Sequence, residues 1–372
     1  MCLASCARHQ PVTVGFIYDN DETTPYSYSF FLAQEALQET YGSDVNILLY
    51  SNVLDEDVAD TAKRLSDRGC QIIFTNSYGD MMGLARDYPD IQFCQVSNEV
   101  NEDGGVPKNY HTFKGEIYQA RYLSGVVAGL KLQQMIEQGK VDKSKATVGF
   151  VAAYPYPEVI SGYTSFILGV RSVVDTATLK VKYANAWNNY ALEKSLATEL
   201  LDEGCSIISQ HTDTIGPAVA CEEYYAREVY HVGYNVDMTD VAPHVSITSA
   251  RIDWSPYLVD AVKAIMTGKR IEDVVSATEH PFNDMSGGLK EGWVELTPLN
   301  EALLPDGTDK MVEQVSAEVG DGTRQVFFGP YKGVNPQDPK DTIDLTVPFF
   351  ENENSSVPSF NYLLDGIVTI EE

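Results

Sequence analysis

Two short phrases of this chain occur twice at almost the same spacing. Val14-Gly15-Phe16 returns as Val148-Gly149-Phe150, and Arg68-Gly69-Cys70-Gln71-Ile72-Ile73 returns as Glu203-Gly204-Cys205-Ser206-Ile207-Ile208, offsets of 134 and 135 residues. A unit written twice at this period predicts two similar lobes. Within each copy, short apolar runs alternate with helical patterns: a strand over 12–18, a helix near 30–41 behind Ser27 or Ser29 as candidate caps, a strand over 45–50, a helix near 55–68 and a strand over 72–75. That rhythm predicts parallel sheets of the Rossmann type. Gly139 to Lys145 punctuates the pattern and marks the expected junction, with lobe 1 over 12–145 and lobe 2 over 146–248. Beyond residue 248 the rhythm changes. A helix over 256–267 ends at Gly268, and the Pro/Asn/Asp-rich remainder to residue 372 is expected to return to lobe 1, part of it shared with lobe 2.

Parallel strands collect their carboxyl ends on one edge of a sheet, where backbone donors and helix N-termini are free to meet a ligand. The segments that follow the predicted strands are polar and aromatic: Tyr26, Ser27 and Tyr28, then Asn76, Ser77 and Tyr78, then Ser97. The second copy offers Tyr154 and Glu158, Trp187, His211 and Asp213, and Asn235 and Asp237. Two such edges facing each other would make a cleft suited to a flat, polar small molecule, with rings to stack on it and carboxylates to take its N–H groups.

The charge balance excludes one class of partner. With 26 basic and 54 acidic residues the formal net charge is −28, which repels a phosphate backbone, so nucleic acid is not expected. No stretch of 18 apolar residues is present; the nearest, 118–135, contains Arg121 and Lys131. The six cysteines show no CxxC and no Cys/His pairing at zinc spacing, and Cys70 and Cys205 each open an apolar run as small buried hydrophobes do. Asp19, Asp21 and Thr23 have calcium-loop spacing, but Thr24 stands where Gly is required and Phe30 where the bidentate Glu belongs. No nucleotide, metal-protease or nucleophile-elbow motif occurs, so no cofactor is expected. Glu158, His211 and Asp213 would serve as acid–base groups in another setting. No nucleophile can be named beside them, and ligand recognition is the favoured reading.

Longer segments carry a family resemblance. Phe113-Lys114-Gly115-Glu116-Ile117-Tyr118-Gln119-Ala120-Arg121-Tyr122-Leu123-Ser124-Gly125, Pro157-Glu158-Val159-Ile160, Gln210-His211-Thr212-Asp213, Asp237-Met238 with Ala242-Pro243, and Ile247-Thr248-Ser249 with Asp253-Trp254 resemble the BMP (basic membrane protein) family of substrate-binding lipoproteins. The resemblance, over residues 12 to 335, implies a type I periplasmic-binding fold of two Rossmann-like lobes that serves an ABC importer, with a permease and an ATPase as partners. It implies a purine ligand: a base such as adenine, guanine, hypoxanthine or xanthine, or a nucleoside. Tyr26 stands where family members stack an aromatic on the base, Trp187 stands at a second aromatic position, and Trp254 belongs to the matching Asp-Trp segment. The ribose-binding Asp and Lys of the nucleoside binders are replaced, the chain reading Gly233-Tyr234-Asn235-Val236-Asp237 and Thr248-Ser249-Ala250-Arg251, which favours the free-base branch. A sensory module of the same fold is the alternative. The opening Leu3-Ala4-Ser5-Cys6 resembles the end of a lipoprotein signal, making Cys6 a candidate lipid anchor to the membrane, in an extracytoplasmic setting, with residues 1–11 as shortened leader and tether.

Overall fold

A computed structural model describes residues 10–97 and 105–371, so Cys6 lies outside the described residues. In chain order the elements are β1 (Val12–Ile17), α1 (Pro25–Tyr41), β2 (Val45–Tyr50), α2 (Val58–Asp67), β3 (Ile72–Thr75), α3 (Met82–Asp87), β4 (Gln92–Val96) and β5 (Tyr110–Gly115). Then follow α4 (Ile117–Glu137), β6 (Thr147–Ala152), α5 (Pro157–Arg171), β7 (Thr178–Tyr183), α6 (Tyr190–Asp202), β8 (Ile207–His211), α7 (Gly216–Glu223), β9 (Tyr230–Tyr234) and β10 (Ser246–Ile252). The chain ends with α8 (Ser255–Thr267), β11 (Thr278–His280), β12 (Asp284–Gly287), β13 (Val294–Leu296), α9 (Thr308–Gly320), β14 (Lys332–Asn335), β15 (Asp338–Asp344), β16 (Leu363–Leu364) and β17 (Val368–Ile370).

The duplication read from the sequence is a duplication of topology. Five parallel strands are ordered β2-β1-β3-β4-β5 in one sheet and β7-β6-β8-β9-β10 in the other. The repeated phrases sit at equivalent places. Gly15 pairs with Ile73 and Gly149 with Ile208. A Cβ on Gly15 would come within 2.9 Å of Leu65 and 3.2 Å of Cys70, and one on Gly149 within 2.6 Å of Ile208 and 3.2 Å of Leu200. Each glycine lets a helix lie close on its sheet. Gly69 and Gly204 follow α2 and α6 with φ of 85° and 91°, a left-handed turn that favours glycine. Cys70 and Cys205 are buried free thiols whose pKa values burial pushes up to about 11 and about 12, consistent with their reading as small hydrophobes.

Two compact units result. The first comprises the chain up to Thr23, Phe30–Lys114 and Trp254–Ser286; the second comprises Thr24–Ser29, Gly115–Asp253 and the chain from Gly287 onward. The expected junction at 139–145 therefore lies inside the second unit. The difference arises at α4, which leaves β5 and packs on α5: a Cβ on Gly125 would meet Phe166 O at 2.1 Å, and one on Gly169 would meet Tyr122 O at 2.1 Å. Glycine on both helices brings their backbones together. The tail also departs from expectation, since only Trp254–Ser286 joins the first unit, through α8, β11 and β12. Residues from 287 build on the second unit. There β13 pairs antiparallel with β10, β17 pairs parallel with β7, and β15-β14-β16 form a small separate sheet.

Candidate ligand-binding site

In each sheet the strand order reverses beside its first strand, between β1 and β3 and between β6 and β8, and ligands of open α/β sheets bind at the carboxyl ends there. In the first unit that point is occupied by Asp19 and Asn76. Asn76 Oδ1 accepts from Asp19 N at 2.9 Å, and Asn76 Nδ2 donates to Asp19 Oδ1 at 2.9 Å. Ser77 is buried with its hydroxyl donating to Asp55, and Ser97 donates to Asp284 Oδ1 at 3.0 Å, an oxygen also held by Thr112 at 2.8 Å. Tyr78 is exposed. Trp254 is 2% exposed and stacks on Phe30 at 4.3 Å, with Phe113 edge-on at 5.7 Å. It is an aromatic core residue of the first unit, where the family resemblance had placed it at the ligand.

The edge of the second unit gathers rings. Tyr154 follows β6 and stacks on Tyr156 at 5.1 Å; Trp187, after β7, lies 5.6 Å from Tyr154; His211 ends β8 with its ring 6.2 Å from Trp187 and 4.5 Å from Tyr234. Local sequence fixes these positions. Pro157 occupies the first turn of α5, which supplies Glu158 to its electropositive N-terminus. Asn189 caps α6 by accepting from Leu192 N at 3.2 Å, while buried Glu193 accepts from Asn189 N at 2.8 Å and from Thr214 Oγ1 at 2.5 Å. Asp213 N donates to Trp187 O at 2.8 Å. The loop that carries Trp187 is thereby tied to the loop that carries Asp213.

Beneath these rings lies a cation. Arg121, on α4, is fully buried, its guanidinium 3.9 Å from the Tyr234 ring centroid and 5.6 Å from that of Phe150, with Nη1 donating to Gln210 O at 2.7 Å. Burial pushes its pKa down to about 10, opposed by Tyr234, Glu158 and Asp213, so the cation persists at neutral pH. In the sequence Arg121 interrupts the apolar stretch 118–135 and stands within the segment 113–125. A lone arginine amid a buried helix face was the available signal for it, as Tyr156 beside Tyr154 was for the ring cluster.

Tyr26, Ser27 and Tyr28 fall in the first turn of α1, in the segment grouped with the second unit, because the helix begins at Pro25 rather than behind Ser27 or Ser29. Ser29 instead donates to Tyr26 O at 2.6 Å. Ser27 is buried, Tyr26 half-buried and Tyr28 exposed. Asn235 is buried with φ of 64°, a conformation asparagine tolerates. Asp237 is exposed and accepts from Thr239 N at 2.8 Å, closing its own turn. Among the described residues no cluster of three or more His, Cys, Asp or Glu could hold a metal, and no helix is long and apolar enough to cross a membrane. A cavity of about 930 Å³ in the first unit, lined by Arg86, Gln92, His111 and Glu272, opens at the amino ends of β4 and β5 and lacks an aromatic cluster.

The sequence profile of the family described as ABC transporter substrate-binding protein PnrA-like matches residues 12–319. A purine-binding protein of Brucella abortus is 29% identical over 328 residues, 87% of this chain and 85% of that protein. Two solved structures share the fold: an ABC transporter solute-binding protein from Conexibacter woesei (TM-score 0.64, 18% identity, 84% of this chain and 98% of that one) and one from Aeropyrum pernix K1 (TM-score 0.65, 16% identity, 89% and 95%). The fold is that of the type I periplasmic solute-binding proteins.

Proposed function

Because the chain belongs to the family of PnrA-like ABC transporter substrate-binding proteins, we propose that it is the receptor that captures a purine, as free base or nucleoside, for import. A protein of this family works outside the cytoplasm, takes a small-molecule ligand and serves a membrane transporter. The observation that carries the purine reading is the ring cluster Tyr154, Tyr156, Trp187 and His211 beside Glu158 and Asp213 at the carboxyl edge of the second sheet. Stacking on an aromatic contributes about 1 to 3 kcal/mol per base without regard to which base it is, and carboxylates that accept N–H groups add discrimination. The Brucella relative, named as purine-binding, supports the same ligand class.

We take Glu158 and Asp213 as acceptors for the ligand rather than as an acid–base pair, and assign the protein no chemistry of its own. Tyr26, Ser27, Tyr28, Asn76, Ser77, Tyr78, Ser97, Asn235 and Asp237 remain proposed contributors from the strand ends and the first turn of α1. Thermal-shift screening with adenine, guanine, hypoxanthine, xanthine and their nucleosides tests the reading. A ligand at one hundred times its Kd stabilises by about 2.7 kcal/mol, and stabilisation by none of them overturns it. Lipid attachment at Cys6 is a separate part of the proposal; labelled palmitate incorporated by expressing cells and lost in Cys6→Ala would support it, and equal incorporation in both would refute it.

A further inference from the structure

We infer that Gln337 is a positioning residue for the proposed ligand edge, holding the loop that carries Tyr154 and Tyr156 and so setting how tightly those rings take a ligand. The inference rests on the ring cluster proposed above as the ligand site and goes beyond it to a residue outside that edge. Gln337 lies in the turn between β14 and β15, past residue 319, where the match to the family profile ends, and in the same compact unit as the rings. Its Nε2 donates to Pro155 O at 3.2 Å. The neighbouring carbonyls of that loop are engaged locally: Tyr154 O accepts from Tyr156 N at 2.8 Å, and Tyr156 O accepts from Val159 N and Ile160 N, each at 3.0 Å, as α5 begins. The carbonyl between the two rings is thus fastened by a distant segment of the chain.

Gln337 is itself held in place. Its Oε1 accepts from Asn361 Nδ2 at 2.7 Å, and its backbone N donates to Asn335 Oδ1 at 2.9 Å, an oxygen that Asn361 Nδ2 also reaches at 3.2 Å. Asn335 Nδ2 donates to Asp341 Oδ2 at 2.9 Å, and Asp341 Oδ1 accepts from Tyr362 OH at 3.0 Å. The network draws on β14, β15 and the approach to β16, so the amide meets Pro155 pre-oriented, with little rotamer freedom left to lose. The tail is anchored in the same unit: Phe360 stacks on Phe327 at 4.2 Å, Phe327 on Tyr118 at 5.5 Å, and β17 pairs with β7, the strand that leads to Trp187. Both ring-bearing loops are therefore backed by one tail. A single solvent-side hydrogen bond adds little to global stability, whereas a stacking surface must hold its orientation to meet a flat ligand.

Gln337→Glu keeps the shape and the acceptor for Asn361 and removes the donor to Pro155. Gln337 is exposed and Tyr156 is 50% exposed, so substitution at either leaves the fold intact. Hydrogen exchange in the free full chain should run at least about fivefold faster over residues 153–160 in Gln337→Glu, with the unfolding midpoint held within about 2 °C. Calorimetric titration with adenine, guanine, hypoxanthine, xanthine and their nucleosides should show binding weakened about three- to tenfold. In a Tyr156→Ala background the same change at Gln337 should weaken binding by less than about twofold more, because the ring through which it acts is gone. Unchanged exchange over 153–160, undiminished affinity in Gln337→Glu, or losses that add in full in the double variant overturn the inference while the purine reading stands. Binding of none of these ligands by the unmodified chain overturns the purine reading, and the exchange rates then decide the inference on their own.

Discussion

Gln95 and Gln210 hold equivalent pairs of loop carbonyls in the two units, but from different strands. Gln95, on β4, donates through Nε2 to Ser77 O at 3.1 Å and Gly79 O at 2.9 Å. Gln210, on β8, donates through Nε2 to Thr212 O at 3.1 Å and Thr214 O at 2.7 Å. Positions 212 and 214 stand one repeat, 135 residues, after 77 and 79. Since β8 corresponds to β3 rather than to β4, the copies have kept the hydrogen bonds while moving the residue that makes them. Each amide oxygen is held in turn, Gln95 Oε1 by Tyr110 OH at 2.9 Å and Gln210 Oε1 by His231 Nε2 at 3.1 Å. Burial pushes the His231 pKa down to about 3, so that imidazole stays neutral and can hold this geometry across the physiological range.

Replacing Gln210 by leucine removes the group that pins the carbonyls on either side of Asp213. Stability should fall by about 1 to 3 kcal/mol, since buried carbonyls lose their donor, and ligand affinity should fall at least about tenfold as Asp213 loses its placement. Denaturant unfolding and calorimetric titration measure the two effects. Full affinity in a folded Gln210→Leu protein would dissociate this loop from the ligand.

Trp187 is half-buried and its backbone carbonyl anchors Asp213 N, so truncation of its ring leaves the loop connection intact. Trp187→Ala and Asp213→Ala should each weaken purine binding at least about tenfold, through lost stacking in the first and a lost acceptor in the second. Neither should unfold the chain, as circular dichroism would show. Unchanged affinity in both would mean that the ligand binds elsewhere.

The contact between α4 and α5 tolerates no side chain at either glycine. In Gly125→Ala or Gly169→Ala the new methyl would stand about 2 Å from a backbone carbonyl oxygen, so the helices must separate. The expected loss is at least about 3 kcal/mol, seen as a lowered unfolding midpoint or insoluble product. A variant with wild-type stability would show that this helix pair is not closely constrained.

The lobes were legible because a strand must begin and end near its turn residues: the expected strands 45–50 and 72–75 coincide with β2 and β3, and the offset of 135 relates Gly15 and Ile73 to their counterparts within one residue. Helix starts were less so. Ser27 and Ser29 attracted the cap assignment, while Pro25, a residue suited to a first helical position, set the boundary. The crossing between units was missed because Gly139 to Lys145 forms a surface turn in the second unit, and the glycines that decide the packing, Gly125 and Gly169, act through contacts distant in sequence. Trp187 and His211, two of the residues proposed to meet the ligand, were picked out as polar or aromatic strand ends. Trp254 has the same local appearance and packs between Phe30 and Phe113, because only the tertiary neighbours distinguish a stacked core ring from a ring awaiting a ligand.

Glu351 makes stability depend on pH. It is buried, and burial raises its pKa from 4.5 to about 7, opposed by hydrogen bonds from Ser161, Phe360 N at 2.6 Å and Ser359. Burial also holds the neighbouring Tyr118 hydroxyl well above its usual range, so it stays neutral beside Glu351. Below pH 4.5 Glu351 is protonated whether the chain is folded or not. As pH rises from there to about 7, the unfolded chain releases this proton and the folded one retains it, so the folded state binds more protons and loses relative stability. Above about 7 both are ionised and the loss is complete, roughly 3 kcal/mol for a shift of this size. Glu351→Gln keeps the shape and an acceptor for Phe360 N without the charge. Relative to wild type, its unfolding free energy should rise between pH 5 and about 7 and level off above that in denaturant titrations, whereas a constant difference across that window would show that Glu351 is ionised in the folded protein throughout.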